Sequence, residues 1–470
     1  MGEIGANLLL VVYAVAALAT AGHALLNKRD PRSAWAWITA VWLFPLGGAL
    51  FYFWFGVNRI ERRARRELGS APDRFARASE PLPDVPGLPV EVRELVRTGR
   101  MMAGWPLAPG NRIAPLHNGE ETYPDMVAAI GGARRTVWLE TYIYDADDTG
   151  RRFAEAFAAA QARGVQVRVL LDGIGHLSLR AHGGGLLRRH GVPFAKFLPP
   201  RLWPPMLHSN LRNHHKLLVV DGERAWVGGM NISDRHCVTR AAEPSSDLHF
   251  RIEGPVVAQL EAVFAESWRF AAGEALALSP APAPAPGGEA VCRAVTDGPN
   301  DAVDRLQLLL LAALSNAHRR ICIMTPYFIP SPELSGALQA AALRGVDIQI
   351  VLPARSDQWW VDAATRRWLT QLVGRSMQVY FRPAPFAHTK LFLMDDYYAL
   401  IGSANLDPRS LRLNFELMVE VYDAGVVGRL AADFDDARRA CVEVTLETLQ
   451  RRPLPAKLRD ALFWLFSPYL

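Results

Sequence analysis

One pattern occurs twice in this chain and constrains its fold more than any other feature. His214-His215-Lys216-Leu217-Leu218-Val219-Val220-Asp221 is followed, after six residues, by Gly228-Gly229-Met230-Asn231. His388-Thr389-Lys390-Leu391-Phe392-Leu393-Met394-Asp395 is followed at the same interval by Gly402-Ser403-Ala404-Asn405. Both read H-x-K-x4-D-x6-G-[GS]-x-N, so the chain carries two copies of one structural unit, 174 residues apart. On a strand, side chains two residues apart point the same way. Each His and Lys are therefore expected on one pocket wall, ahead of an apolar run with the character of a buried strand. Asp221-Gly222 is a turn signal that doubles the chain back. It brings Asn231 toward the pocket, as Asn405 is brought in the second copy. One copy supplies one imidazole; two copies face to face supply two.

The surroundings of the motif repeat as well. Val137 to Tyr144 and Ile321 to Phe328 read as strands, and Gln166 to Leu171 and Asp347 to Leu352 as the strands that follow. Between them, helix-like stretches close on Arg163-Gly164-Val165 and Arg344-Gly345-Val346, where glycine suits a helix stop. Strands alternating with helices predict α/β units with largely parallel or mixed sheets. The proline-rich stretches Glu80 to Pro89 and Ser279 to Gly288 cut the chain into segments. The expected organisation is a transmembrane part over 1–58, a basic juxtamembrane segment and linker over 59–110, a first half over 111–272, a Pro/Ala-rich linker over 273–290, a second half over 291–450 and a C-terminal amphipathic segment over 451–470.

Each motif resembles the HKD signature of the phospholipase D superfamily. Pro326-Tyr327-Phe328-Ile329-Pro330, and the tract from Asn405-Leu406-Asp407-Pro408-Arg409-Ser410-Leu411 through Asn414-Phe415-Glu416, resemble the bacterial cardiolipin synthase branch of that superfamily. The resemblance runs over nearly the whole chain. It implies an α/β fold of two phospholipase D-like α/β/α repeats with pseudo-twofold symmetry, preceded by a two-helix transmembrane hairpin. It also implies a phosphatidyl transfer that joins two phosphatidylglycerol molecules into cardiolipin and releases glycerol. One motif histidine, His214 by analogy, attacks the lipid phosphorus and becomes a phosphohistidine. The other, His388, protonates the departing glycerol oxygen and then deprotonates the acceptor hydroxyl. Imidazole, with an ordinary pKa of about 6.5, is the side chain most easily held neutral in one copy and charged in the other.

The same resemblance gives roles to the neighbouring residues. Lys216 and Lys390 would clamp the non-bridging oxygens, with Asn231, Asn405 and Ser403 as neutral donors. Asp221 and Asp395, counted with the His and Lys as catalytic candidates, mainly support the fold in the superfamily. A later acid orients each imidazole there. Glu416 fits that place after His388 and Asp247 after His214, against the alternative of an ordinary salt bridge for each. Gly229 stands where the second copy has Ser403, which makes the pocket asymmetric. No metal or cofactor is expected, since the lysines bring the positive charge and the chain lacks a carboxylate cluster of the two-metal kind. His215 points away from His214 and is read as structural. Tyr142, Tyr327 and Phe328 either line a lipid entrance or belong to the core. The expected partners are phosphatidylglycerol, other anionic phospholipids and the bilayer, and not nucleic acid. A hydrolase or nuclease using the same histidines, and an inactive lipid-binding scaffold, are the rival classes. Phosphatidylethanolamine presents the same phosphodiester and is an equally compatible donor.

Composition narrows the setting. The chain has 470 residues, 50% hydrophobic and 21% charged, which suits two or three folded units and excludes whole-chain disorder. Its net charge of +5 selects no partner by itself. Cys237, Cys292, Cys322 and Cys441 lie far apart, indicating reduced thiols rather than a zinc site or disulfide framework. Only five of the 52 basic residues are lysines. A lysine that survives in such a background marks a place that needs a compact ammonium, and two of the five are in the motifs.

Ile4 to Leu26 and Ala34 to Val57 carry no formal charge apart from any on His23, and each is long enough to cross a hydrocarbon core of about 30 Å. They read as a membrane hairpin, with Trp35, Trp37, Tyr52 and Trp54 at interfacial positions and a kink at Pro45, Gly47 and Gly48. Glu3 and the lack of Lys or Arg before Ile4 argue against a cleaved signal peptide. The connector Asn27 to Arg32 holds Lys28, Arg29 and Arg32, and Arg59, Arg62, Arg63, Arg65 and Arg66 follow the second run. The positive-inside bias, by a thin margin, places a multi-pass protein in the inner membrane with its catalytic part in the cytoplasm. At the other end, residues 456–466 have leucines at helical spacing beside Lys457 and Arg459. They fit either an interfacial helix or a terminal helix packed on the domain.

Overall fold

The structure, a computed structural model, describes residues 3–28, 31–44, 46–56, 92–175, 182–199, 212–299, 304–374 and 377–467. The arginine cluster after the second apolar run and the proline-rich stretch Glu80 to Pro89 lie outside these residues. The chain divides into two compact units, the first formed by its N-terminal part and the second by nearly all of the rest.

In the first unit, α1 (Glu3–Asn27) is long and apolar enough to cross a membrane. The second apolar run departs from expectation. It forms α2 (Pro31–Leu43), of 13 residues, and then a short α3 (Gly47–Phe51) continued by a π turn over Tyr52–Gly56. The kink expected near Gly47 and Gly48 is a full reversal, with Leu46 in the left-handed region at φ 57°. Gly48 lies so close to the backbone of Ala40 and Val41 that a Cβ would not fit. Four residues further back along the hairpin, the Tyr52 ring is 5.2 Å from that of Trp37, and its hydroxyl is 2.8 Å from His23 Nδ1. Lys28 Nζ donates to Gly56 O at 2.7 Å, so the run ends beside the point where it began. A helix of 13 residues rises only about 20 Å, short of a hydrocarbon core.

The second unit is built on one sheet of 15 strands. The first half supplies β1 (Ala108–His117), β2 (Thr136–Thr141), β3 (Gln166–Asp172), β4 (Phe194–Phe197), β5 (Leu217–Val220), β6 (Arg224–Gly228) and β8 (Leu248–Glu253). The second half supplies β9 (Ala290–Asp297), β10 (Arg320–Met324), β11 (Asp347–Pro353), β12 (Met377–Arg382), β14 (Leu391–Met394), β15 (Tyr398–Gly402), β16 (Glu416–Tyr422) and the edge strand β17 (Val442–Glu443). β1 and β9 meet in the middle. Outward from them the order is β8-β6-β5-β2-β3-β4 on one side and β16-β15-β14-β10-β11-β12 on the other, the same succession of equivalent strands. β2, β3 and β4 run parallel, as do β10, β11 and β12, as strand–helix–strand alternation requires. β7 (Ser245–Ser246) and β13 (Phe386–Ala387) pair outside the sheet.

The apolar runs of the motifs become β5 and β14, buried along their whole length because both faces of the sheet are covered there. Each half has its own hydrophobic core. The helix Arg93–Ala103, from a stretch read as linker, packs Leu95 and Val96 into the core of the second half. It also closes over a buried ion pair between register partners of β9 and β16. Arg293 Nε donates to Glu420 Oε2 at 2.6 Å, both side chains are fully buried, and the hydroxyls of Tyr398 and Tyr422 donate to the other carboxylate oxygen. Removing one partner strands a charge in the core. Glu420→Ala is therefore expected to cost about 3–5 kcal/mol, read as a lowered midpoint in denaturant unfolding of the purified chain; an unchanged midpoint would contradict the assignment.

Candidate active site

The motif aspartates close the strands that precede them. Asp221 and Gly222 both adopt left-handed φ, 57° and 68°, the pair that a primed hairpin turn needs, and β5 doubles back into β6 as expected. From this position the Asp221 carboxylate accepts from the backbone N–H groups of Arg134, Arg135 and Thr136 at the start of β2. Asp395, at φ 51°, accepts from His318, Arg319 and Arg320 at the start of β10. Neither aspartate lines the cavity described below. Their inclusion among the catalytic candidates is corrected: each is a clasp between neighbouring strands.

The two motif histidines line one cavity of about 590 Å³. Backbone pairing between the halves brings them there. His214 N–H donates to Phe415 O at 2.9 Å, and Phe415 N–H returns to Arg212 O. In the other direction, His388 N–H donates to Ser246 O at 2.8 Å, continuing the pairing of β13 with β7. The residue after Phe415 is Glu416 and the residue after Ser246 is Asp247. Glu416 Oε2 therefore lies 2.9 Å from His214 Nδ1, and Asp247 Oδ2 lies 2.8 Å from His388 Nδ1. The sequence reading paired each acid with the imidazole of its own half; the structure crosses them. With Nδ1 held by a carboxylate, Nε2 is the nitrogen left for a substrate.

Glu416 is completely buried and also accepts from Ser403 Oγ and from Asn414 Nδ2 at 3.2 Å. Burial pushes this carboxyl up, but His214, Lys216 and Ser403 outweigh it and hold the group below its ordinary value. The Ser403 hydroxyl is thereby used on Glu416 rather than offered to a phosphate, which corrects its expected role. Gly229, at the equivalent place, has no side chain because the Asp247 carboxylate fills that space.

The lysines also sit differently from expectation. Lys216 and Lys390 are 2% and 3% exposed and lie behind the imidazoles, each donating to the carbonyl oxygen of its own motif histidine. Burial pulls the ammonium of Lys216 down to about 7 and that of Lys390 to about 8, against the pull of Glu416 and Asp247. Burial lowers His214 to about 4 despite Glu416, and burial together with Lys390 and Lys216 sets His388 well below its ordinary value. Both rings are thus shifted toward the neutral form, rather than one toward each form.

Asn231 and Asn405 line the cavity. Asn231 Oδ1 accepts from Ile143 N–H, whereas Asn405 Oδ1 is buried without a partner among the described residues. His215 is buried 3.3 Å from Glu140 and stays outside the cavity, a structural residue. Tyr142 and Tyr327 reach the cavity wall, and Phe328 is core.

Sequence reasoning missed several lining residues. His236 has its ring centre 5.8 Å from that of His388 and accepts from Asn231 N–H; the turn that returns Asn231 carries His236 with it, five residues on. Arg212 precedes His214 by two positions and is fully buried; its Nη1 lies 3.4 Å from Asp172 Oδ1, and Nε and Nη2 find no partner among the described residues. Asp407 and Arg409 belong to the tract quoted above for resemblance alone. Burial raises the Asp407 carboxyl to about 7. Among the described residues, no group of three or more His, Cys, Asp or Glu is arranged to hold a metal ion.

Two H-x-K units on one sheet, with both imidazoles in one cavity, define a two-histidine protein of the phospholipase D superfamily. The family described as cardiolipin synthase, PLD-like domain, matches residues 126–268 and 310–438, and this chain belongs to it. A second model, phospholipase D-nuclease N-terminal, matches residues 9–56. The chain is 34% identical to cardiolipin synthase A of Pseudomonas syringae, over 95% of each chain. It is 31% identical to cardiolipin synthase of Geobacillus kaustophilus, over 95% of this chain and 90% of the other. The solved structure of phosphatidylserine synthase from Haemophilus influenzae shares the fold, with a TM-score of 0.61 and 15% identity over 80% of this chain and the whole of that one.

The crossed acids generate a prediction. Glu416→Gln and Asp247→Asn are each expected to lower turnover about 10²–10⁴-fold by releasing one ring from its tautomer. The Nδ1–H resonance lost in proton NMR should be that of His214 in Glu416→Gln and that of His388 in Asp247→Asn. The opposite assignment would refute the crossing.

Proposed function

We propose that the chain is a membrane phosphatidyltransferase that joins two phosphatidylglycerol molecules into cardiolipin and releases glycerol. The observation that carries this reading is the pair of imidazoles in one cavity, each held at Nδ1 by the acid of the other half. His214 Nε2 attacks the phosphorus of the first lipid, the bond from phosphorus to the glycerol oxygen breaks, and that oxygen takes a proton from His388. The acceptor lipid's free hydroxyl then gives its proton to His388 and attacks the phosphohistidine, returning His214 as the neutral ring. Lys216 and Lys390, buried behind the rings, favour the phosphate by their nearby positive charge, and Asn231 and Asn405 serve as neutral donors on the cavity wall. The lowered proton affinity of His388 follows from burial and its two lysine neighbours. An entering phosphodiester brings the negative charge that offsets those cations and raises the ring into the range of a working acid.

Arg212, Arg235 and Arg409 line the same cavity and can face the phosphate of an anionic lipid, beside the lining acids Asp145, Glu243, Asp357 and Asp407. The curated relatives are cardiolipin synthases along their length, which supports this reading over hydrolysis. Purified full-length chain given phosphatidylglycerol is expected to yield cardiolipin and glycerol in equal amounts, and His214→Ala and His388→Ala to lose it. Phosphatidic acid as the main product would move the chain to the hydrolase class. With phosphatidylglycerol labelled at phosphorus, label trapped on the protein in one variant alone would identify the histidine that variant retains as the attacking ring.

The repeated strand order supports a pseudo-twofold relation between the halves. For the membrane part, α1 crosses the inner membrane once, and α2 with α3 enters and returns on the side of Lys28. This arrangement puts the basic connector and the basic stretch after residue 58 on one face, the cytoplasmic one, and removes the conflict that two full crossings created. The N-terminus then lies outside and the catalytic part inside. An N-terminal tag on intact spheroplasts is expected to be reachable by protease and a C-terminal tag only after permeabilisation; both tags on one side would restore the two-span arrangement.

A further inference from the structure

The C-terminal helix Leu454–Leu465 has two dissimilar faces. One packs on the helix Trp359–Leu372: Phe463 meets Trp359 with ring centres 4.8 Å apart, and Trp464 meets Trp368 at 6.3 Å. Asp460, 3% exposed, is tied to Arg452 and Arg459. The other face is uncovered. Leu454 is 66% exposed, Leu458 62%, Leu462 53% and Leu465 65%. At 3.6 residues per turn these four leucines share an arc of about 80°, with Lys457 on one flank and Arg459 on the other. A soluble surface does not gather leucines in this way. On the helix Trp359–Leu372, which this C-terminal helix packs against, Trp359 is 56% exposed, and its neighbours Trp360 and Val361 line the cavity.

We propose that the leucine face, together with Trp359 and Trp360, docks on the bilayer and sets the mouth of the cavity at the lipid headgroups. Three observations select lipid as the occupant. The helix that carries the stripe touches Trp359 through Phe463, and the next residue, Trp360, lines the cavity. Lys457 and Arg459 border it on both sides, as in helices that lie in an anionic interface with their cations at headgroup level. The chain already carries, in α1, a helix fit for a membrane. The position of the cavity in this inference rests on the function proposed above, whereas docking itself does not require turnover.

The test uses the full-length chain with Cys441→Ser, so that an added cysteine is the accessible one, and an environment-sensitive fluorophore at Leu462→Cys. Reconstituted in phosphatidylglycerol vesicles, the label is expected to be quenched by nitroxide on lipid acyl chains and protected from aqueous iodide. Access by iodide overturns the proposal. So does protection without acyl-chain quenching, which would mean another part of the chain covers the face, or protection that grows with protein-to-lipid ratio, which would mean a second copy does. In parallel, Leu458→Ser/Leu462→Ser is expected to lose about tenfold or more of its activity on vesicles, the scale of one leucine returned to water. Activity on dispersed short-chain phosphatidylglycerol should stay within about twofold of the parent. An equal loss in both assays, or none in either, overturns it. A parent that makes no cardiolipin would refute the proposed reaction and leave the fluorescence result to decide docking.

Discussion

The active site depends on two reciprocal backbone hydrogen bonds, His214 N–H to Phe415 O and His388 N–H to Ser246 O. Each ties the approach to one motif strand onto the other half's chain, one residue before an acid. The acid then has no choice but to face the foreign imidazole. Neither half alone contains a ring with its orienting carboxylate, so the cavity exists only when both halves are folded against each other. Phe415 reinforces this by packing its ring 5.1 Å from that of Phe197 in the first half. A pair of imidazoles needed on opposite sides of one phosphorus atom is thus fixed by main-chain geometry, which is more exact than long side chains would be.

The electrostatics follow from that enclosure. Inside it lie two ammonium groups, two imidazoles and two carboxylates whose oxygens are spent on ring nitrogens, a hydroxyl and amides. The two cations are matched by the two anions, and burial lowers the proton affinity of both ammoniums and both imidazoles. A phosphodiester adds a negative charge that favours their protonated forms. Lysine fits this deep position where arginine, the usual cation of this chain, does not: a compact ammonium folds under its own histidine and reaches the carbonyl oxygen, which a planar fork could not do in the same space.

The repeated motif made the two-unit α/β plan legible, because spacing along a strand is a local property that tertiary context rarely overrides. The Asp221-Gly222 hairpin and the inward placement of Asn231 were readable for the same reason. The crossing of the acids was not. Sequence offers distance along the chain as its ruler, and the pairs that form are 202 and 141 residues apart. The second apolar run misled for a different reason. Hydropathy registers the lack of charge but not direction, and a single left-handed residue at Leu46 turns a membrane-length run into a hairpin that returns to its start.

The difference between Gly229 and Ser403 looks like a lost hydroxyl donor until the acids are placed. Glutamate is longer than aspartate by one methylene. In the cavity half where Glu416 reaches His214, Ser403 fills the adjoining space and donates to the carboxylate. Where the shorter Asp247 reaches His388, its carboxylate occupies that same space, and a side chain on residue 229 would collide with it. The two pairs, Ser with Glu and Gly with Asp, are alternative ways of filling one volume, and both leave the acid within 0.1 Å of the same distance from its ring, 2.9 and 2.8 Å. The distance from acid to ring therefore does not distinguish the two histidines. Their other neighbours do: Lys390 Nζ lies 3.0 Å from His388 Nδ1, Tyr142 borders His214 with ring centres 5.4 Å apart, and His236 and Phe386 border His388 at 5.8 and 5.9 Å.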